Sequence, residues 1–187
     1  MKEEIKKSIE VLRSGGIILY PTDTVWGLGC DATNEDAVKR IIDIIKPRDK
    51  GEFIVLIDSV FKIQTYVEDV PEIAWDLAEL SEKPLTIIFP KAKNLAKNLI
   101  AKDNSVGIRV TNELFSKQLC SQFRKPIAFI PAVNGGELTQ FNFSNISNGI
   151  KDAVDYIVGF RQDDKSMSTA SSIIKLGRGS VFQIIRE

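Results

Sequence analysis

Apolar positions along the chain keep two periods, and each predicts an element. Ile5, Ile9 and Leu12 recur at helical spacing within MKEEIKKSIEVLRSGG, which predicts an amphipathic helix stopped by Gly15-Gly16. GGIILY then reads as a short buried strand, β-branched and opened by a glycine pair. The polar stretch PTDTVWGLGCDAT reads as a loop after it. Asn34 is the expected N-cap of a second helix, with Glu35 and Asp36 in its first turn. Val38, Ile41, Ile42 and Ile45 form that helix's apolar stripe, and Pro47 ends it.

Further on, FIVLI (53–57) predicts a buried strand and PEIAWDLAEL (71–80) a helix with Pro71 at its first position. TIIF (86–89) and VGIRV (106–110) predict strands. Asn112 is expected to cap a helix carrying Leu114, Phe115, Leu119 and Phe123. IAFI (127–130), DYIVGF, SSIIKL and VFQIIR predict further strands, and the Asn-, Ser- and Gly-rich segment 134–149 a surface excursion. Strands interleaved with helices, without repeats or low-complexity linkers, predict one mixed α/β domain over residues 1–187.

Composition narrows the chemistry. The 187 residues carry 25 basic and 25 acidic side chains, so no net charge draws the chain to nucleic acid. No segment approaches ~18 consecutive apolar residues, so a membrane span is not expected. Cys30 and Cys120 lack metal-ligand spacing and read as reduced thiols of a cytoplasmic protein. There is no histidine, which removes Ser-His-Asp and Cys-His nucleophiles, imidazole-based zinc sites and His acid–base catalysis. An enzyme built from these residues works by positioning and electrostatics, or with Lys, Arg and carboxylates.

Four polar groups stand out, each with an ordinary structural explanation beside the functional one. Thr22-Asp23-Thr24 follows a strand, where ligands sit in open α/β sheets, although such hydroxyls also cap turns. Lys46, Arg48 and Lys50 crowd a helix end, where cations suit the dipole; they would equally clamp phosphates. Arg109 inside VGIRV either faces solvent by alternation or points into a pocket and holds a carboxylate. Ser171-Ser172 opens a strand and Arg186 lies near the C-terminus. Together the hydroxyls and cations suit a site for phosphates and a small carboxylate. On that reading, Arg109→Ala is expected to abolish small-ligand binding without unfolding the chain.

The run GGIILYPTDTVWGLGCDAT, followed by a helix and Lys-x-Arg, resembles the YrdC/Sua5 family of threonylcarbamoyl-AMP synthases. KPLTIIF (83–89), VGIRV, SSIIKL and the terminal IIR recur in the family's order, so the likeness covers nearly the whole chain. It implies a twisted mixed sheet flanked by helices, with a concave ligand-binding surface. It also implies a reaction joining L-threonine, bicarbonate and ATP into threonylcarbamoyl-adenylate and pyrophosphate, with Mg²⁺ shared by the phosphates. A partner transferase would then place the group on a tRNA adenosine. By the same resemblance Thr22 and Thr24 line the small-substrate end, and Arg109 takes the threonine carboxylate or a phosphate. Lys46, Arg48 and Lys50 hold ATP phosphates, while Thr86, Asn134, Ser171 and Arg186 face the nucleotide.

Two motifs leave the family's pattern. After Lys125-Pro126 the family carries Ser-Thr-Ser-Ala-Asn, whereas this chain has Phe129, Ile130, Pro131, Ala132 and Val133, with Asn134 one place late. The basic loop is also shifted, and Glu52 adds a negative charge to it. Three functions therefore stand side by side: the synthase, a family member whose altered site binds a nucleotide or another small ligand (or RNA) without this reaction, and a nucleic-acid-binding module of the same fold. Clustering of Lys91, Lys93, Lys97, Lys102 and Lys125 would favour the third.

Overall fold

The computed structural model describes residues 1–47, 52–133, 142–164, 170–177 and 182–187. Helix α1 (Lys2–Arg13) buries Ile5, Ser8, Ile9 and Leu12. Its end turns at Gly15, whose φ of +77° lies where L side chains are strained. Strand β1 (Ile18–Tyr20) follows as expected.

The polar stretch after it is not all loop. Residues Gly27–Asp31 form a fully buried strand, β2, antiparallel to β1 with Tyr20 opposite Gly27. Its glycines are steric requirements. A Cβ on Gly27 would lie 2.1 Å from Cε2 of Phe129 and 2.5 Å from the Ile130 carbonyl oxygen, and one on Gly29 would lie 2.6 Å from the Tyr20 ring. Glycine at these positions erases the apolar alternation by which a strand is recognised.

Helix α2 (Glu35–Ile45) is capped by Asn34, whose side chain accepts from the Asp36 and Ala37 amides. It buries Val38, Ile41 and Ile45 and stops at Lys46, which takes the left-handed conformation. After β3 (Ile54–Ile57) come the short α3 (Ile63–Tyr66) and α4 (Glu72–Leu80), with Pro71 at the N-cap position of α4, one place before the position expected. Strands β4 (Leu85–Phe89) and β5 (Val106–Val110) lead to α5 (Leu114–Phe123).

The cap of α5 is Glu113, not Asn112: its carboxylate accepts from the Phe115 and Ser116 amides and from the Ser116 hydroxyl. Leu114, expected in the apolar stripe, is 58% exposed, because the buried stripe runs through Phe115, Leu119 and Phe123 and Leu114 lies about 100° round the helix from Phe115. Glu113→Ala is expected to lower unfolding stability by about 1 kcal/mol, with Asn112→Ala near neutral, in urea titrations. Equal effects would refute this cap. Strand β6 (Ile127–Pro131) follows, and helix α6 (Asn148–Ala153) begins at the end of the segment expected to be irregular. Strands β7 (Tyr156–Ile157), β8 (Ser172–Leu176) and β9 (Phe182–Arg186) complete the described elements.

The strands form one mixed sheet in the order β7-β1-β2-β6-β3-β5-β4-β8-β9. Side chains alternate between its faces. Leu19, Leu28, Val55, Ile87 and Ile108 pack with α2, α3, α4 and α6 on one face. Ile18, Tyr20, Ile54, Ile127 and Phe129 pack with α1 and α5 on the other. That second helical layer covers β1, β2, β6 and β3, while Thr86, Ile88, Gly107 and Ile173 beyond it line an open concavity.

Candidate functional site

The concavity is a cavity of about 350 Å³. Its floor follows from the strand period: Val106 and Ile108 of β5 enter the core, so Gly107 and Arg109 look the other way. Arg109 is only 1% exposed and lines the cavity, so it does not face solvent. Its guanidinium lies 5.4 Å from the centre of the Phe129 ring, a cation–π contact. Nη1 donates to Thr24 Oγ1 at 3.2 Å. Nη2 stands 3.3 Å from Asp23 Oδ1, an ion pair whose angles do not make a hydrogen bond, so Nε and Nη2 are buried without an acceptor.

Burial pulls the Arg109 pKa down, while the Asp23 charge opposes that. Burial pushes the Asp23 carboxyl up, Arg109 counteracts this, and Glu113 adds to it. The pair is therefore an under-satisfied cation held by an under-satisfied anion. A buried guanidinium with free donors is suited to an incoming carboxylate or phosphate oxygen.

The two threonines have different tasks. Thr22 Oγ1 donates to the Val25 carbonyl and accepts from the Thr24 and Val25 amides, closing the turn from inside. A 3.0 Å contact between the two hydroxyls ties Thr24 to the same turn, with either oxygen able to donate. Thr22 stays behind the wall, and Thr24 lines the cavity. Arg161 braces this turn: Nη1 donates to the Thr22 carbonyl, while Nε and Nη2 hold Asp164.

On the far wall, Thr86 and Ser171 share a hydrogen bond of 2.8 Å. Arg186 donates from Nε and Nη2 to the Ser171 carbonyl at 2.9 and 2.7 Å. Partial burial lowers its pKa. Lys46, at the left-handed end of α2, stands at the rim beside Pro47 and Glu52. The structure thus gathers Thr24, Lys46, Thr86, Arg109, Ser171 and Arg186 around one cavity. Arg48, Lys50 and Asn134 lie outside the described residues. Phe129, Ile130, Pro131 and Val133 also line the cavity, so one wall is apolar where the resemblance led one to expect hydroxyls.

Sequence reasoning did not single out Arg161, which carries no local signal, or the pairing of Asp23 with Arg109, which joins residues far apart in the chain. Both cysteines are free and buried, and burial pushes both thiols up. Among the described residues no helix is long and apolar enough to cross a membrane. Of the five lysines whose clustering would favour nucleic acid, Lys91 pairs with Asp69 and Lys125 with Asp31.

Comparison with known proteins places this geometry. The Sua5/YciO/YrdC family profile, described as "Telomere recombination", matches residues 10–187. The chain is 33% identical over 158 residues to the threonylcarbamoyl-AMP synthase of Pseudoalteromonas translucida, covering 82% of this chain and 84% of that protein. It is also 33% identical over 151 residues to the Pseudomonas aeruginosa enzyme of the same name, covering 80% of each. Among solved structures, E. coli YciO superposes with a TM-score of 0.86 at 24% identity, over 100% of this chain and 90% of that one. P. abyssi Sua5 complexed with L-threonine superposes with a TM-score of 0.80 at 24% identity, over 92% of this chain and 50% of that one. The fold, the family profile and the extended sequence identity agree: the chain belongs to the Sua5/YciO/YrdC family.

Proposed function

We propose that this protein is a threonylcarbamoyl-AMP synthase, converting L-threonine, bicarbonate and ATP to threonylcarbamoyl-adenylate, pyrophosphate and water. The observation that carries this reading is Arg109, buried with two nitrogens lacking acceptors on the floor of a cavity that also holds Thr24, Lys46 and Arg186. Relatives that share a third of the sequence bear that enzyme's name.

In this reading Arg109 takes the threonine carboxylate, with the Thr24 hydroxyl beside it. Lys46, with Arg48 and Lys50, draws the ATP phosphates, and Thr86, Ser171 and Arg186 face the nucleotide, joined by Asn134. A carbamate oxygen formed from threonine and bicarbonate attacks the α-phosphorus, and pyrophosphate leaves. The attacking oxygen is already anionic, so the absence of histidine costs nothing at that step. In-line placement and cations provide the acceleration. Glu52 is the one acidic side chain among the described lining residues, too few oxygens for a protein-held ion. Mg²⁺ would therefore arrive on the ATP phosphates, whose charge it neutralises. The product would pass to a transferase acting on tRNA, in the cytoplasm.

A second reading rests on the apolar wall of Phe129, Ile130, Pro131 and Val133: a site that keeps small-ligand binding and has lost the adenylation. Pyrophosphate release from ATP and Mg²⁺, with threonine and bicarbonate each omitted in turn, separates the two. Release requiring both substrates establishes the synthase. No release from folded protein that still binds threonine assigns the second reading.

A further inference from the structure

Next to the cavity, and sharing Arg186 with it, α4 and the β8–β9 edge enclose a second concavity of about 630 Å³. Its floor is apolar, built from Ile73, Leu77, Leu80, Ile174 and Ile184. Leu80 is 76% exposed and Ile184 53%, so the floor faces solvent. Strand β9 closes the sheet order, and no described strand pairs with its outer edge. Phe182 and Ile185 on the same strand are also half-exposed, without a proline or lysine to blunt the edge. An apolar floor beside a free edge is the arrangement that accepts an added strand from another chain.

Charge decides which chain. The segment from Glu68 to Glu82 contains no lysine or arginine. Asp76, Glu82 and Glu187 line the groove, and Glu72 and Glu79 add to the same helix. None of these five has an ion-pair partner among the described residues. Two cations also line the groove: Lys83, and Arg186, whose Nε and Nη2 are committed to the Ser171 carbonyl. An acidic rim repels phosphodiester backbones and anionic lipid headgroups. A second copy set on the groove by a two-fold axis would bring one row of α4 acids towards another.

We infer that the α4–β9 groove docks a cationic, apolar segment of a partner protein, laid along β9 with its apolar side chains on the floor and its Lys or Arg residues over the acidic rim. The inference does not depend on the reaction assigned to the cavity.

The test uses two synthetic peptides of equal length with alternating leucine and threonine, one flanked by lysines and one by glutamates. Binding is followed by amide chemical-shift changes and by fluorescence anisotropy at low and high salt. The lysine peptide is expected to shift amides of α4, β8 and β9, and to bind ~10-fold more weakly in the exposed-site variant Glu79→Lys/Glu82→Lys. Equal binding of both peptides, or no shift in these elements with either, overturns the inference. So does sedimentation of the protein alone as a dimer that Leu80→Glu dissociates, which would make a second copy the occupant.

Discussion

Arg109→Ala is expected to abolish threonine binding and to destabilise the fold by about 3–5 kcal/mol, because it leaves Asp23 buried without its counter-ion. This corrects the sequence-based expectation that the substitution spares the fold: the side chain is 1% exposed and paired at 3.3 Å with a carboxylate that is itself nearly buried. The loss depends on pH, and the sign follows from Asp23. Its carboxyl is raised by burial and held down by Arg109. A carboxyl raised on folding favours the folded state when protonated, so its contribution is fully present below its unfolded pKa. That contribution falls as pH rises to the folded pKa. Removing Arg109 raises the folded pKa further and enlarges that fall. The stability gap between wild type and variant is therefore expected to be wide at neutral pH and to narrow in acid. Asp23→Asn in the Arg109→Ala background should recover part of the neutral-pH stability without recovering binding. Urea titrations across pH, with threonine calorimetry, measure both; a pH-independent gap would refute the pairing as the cause.

Gly27→Ala should be nearly as damaging, by about 3 kcal/mol, at the upper end of overpacking costs. The added Cβ would meet the Phe129 ring at 2.1 Å and the Ile130 carbonyl at 2.5 Å. The ring cannot simply withdraw: it stands edge-on to Tyr20 and beneath Arg109. Displacing it removes the face on which the guanidinium rests, so ligand affinity should fall along with stability. Phe129→Leu in the same background should return part of the stability, and only part, because the carbonyl contact belongs to the backbone. Thermal unfolding of the single and double variants decides this, and a Gly27→Ala protein as stable as wild type would show that β2 and β6 can separate freely.

These sites also mark how far the sequence could be read. Helical periods identified α1 and α2 and most of the buried residues of each, missing the small Ser8 and Ala37 and including the half-buried Ile42, since a sustained stripe leaves few alternatives. For Arg109 the alternation with Ile108 and Val110 left solvent and pocket both open, and only the folded sheet, where the side chain is 1% exposed, decides between them. Strand β2 could not be read, because Gly27 and Gly29 have no side chains with which to show a face. The reason for those glycines lies in the rings of Phe129 and Tyr20, which other strands deliver. The same limit hid which threonine faces the cavity: Thr22 and Thr24 are equivalent by type, and only the turn's hydrogen bonds separate them. Nor could local pattern join Asp23 to Arg109 or Arg161 to the Thr22 carbonyl, since each pair meets only in the finished sheet.

The position of β6 bears on how the molecule is made. It fits between β2 and β3, so Asp31 awaits Ile127 and Ile54 awaits Phe129. As the chain emerges from the ribosome, β1–β2 and β3–β5–β4 can pair early, yet each half-sheet then presents a raw inner edge. The strand that joins them is synthesised after both. Closing these long loops late is expected to make folding slow for a chain of this length and to leave two unpaired edges exposed meanwhile, which refolding kinetics would measure. The concave site, whose wall includes Phe129 and Ile130 of that strand, is then expected to form only once β6 is in place.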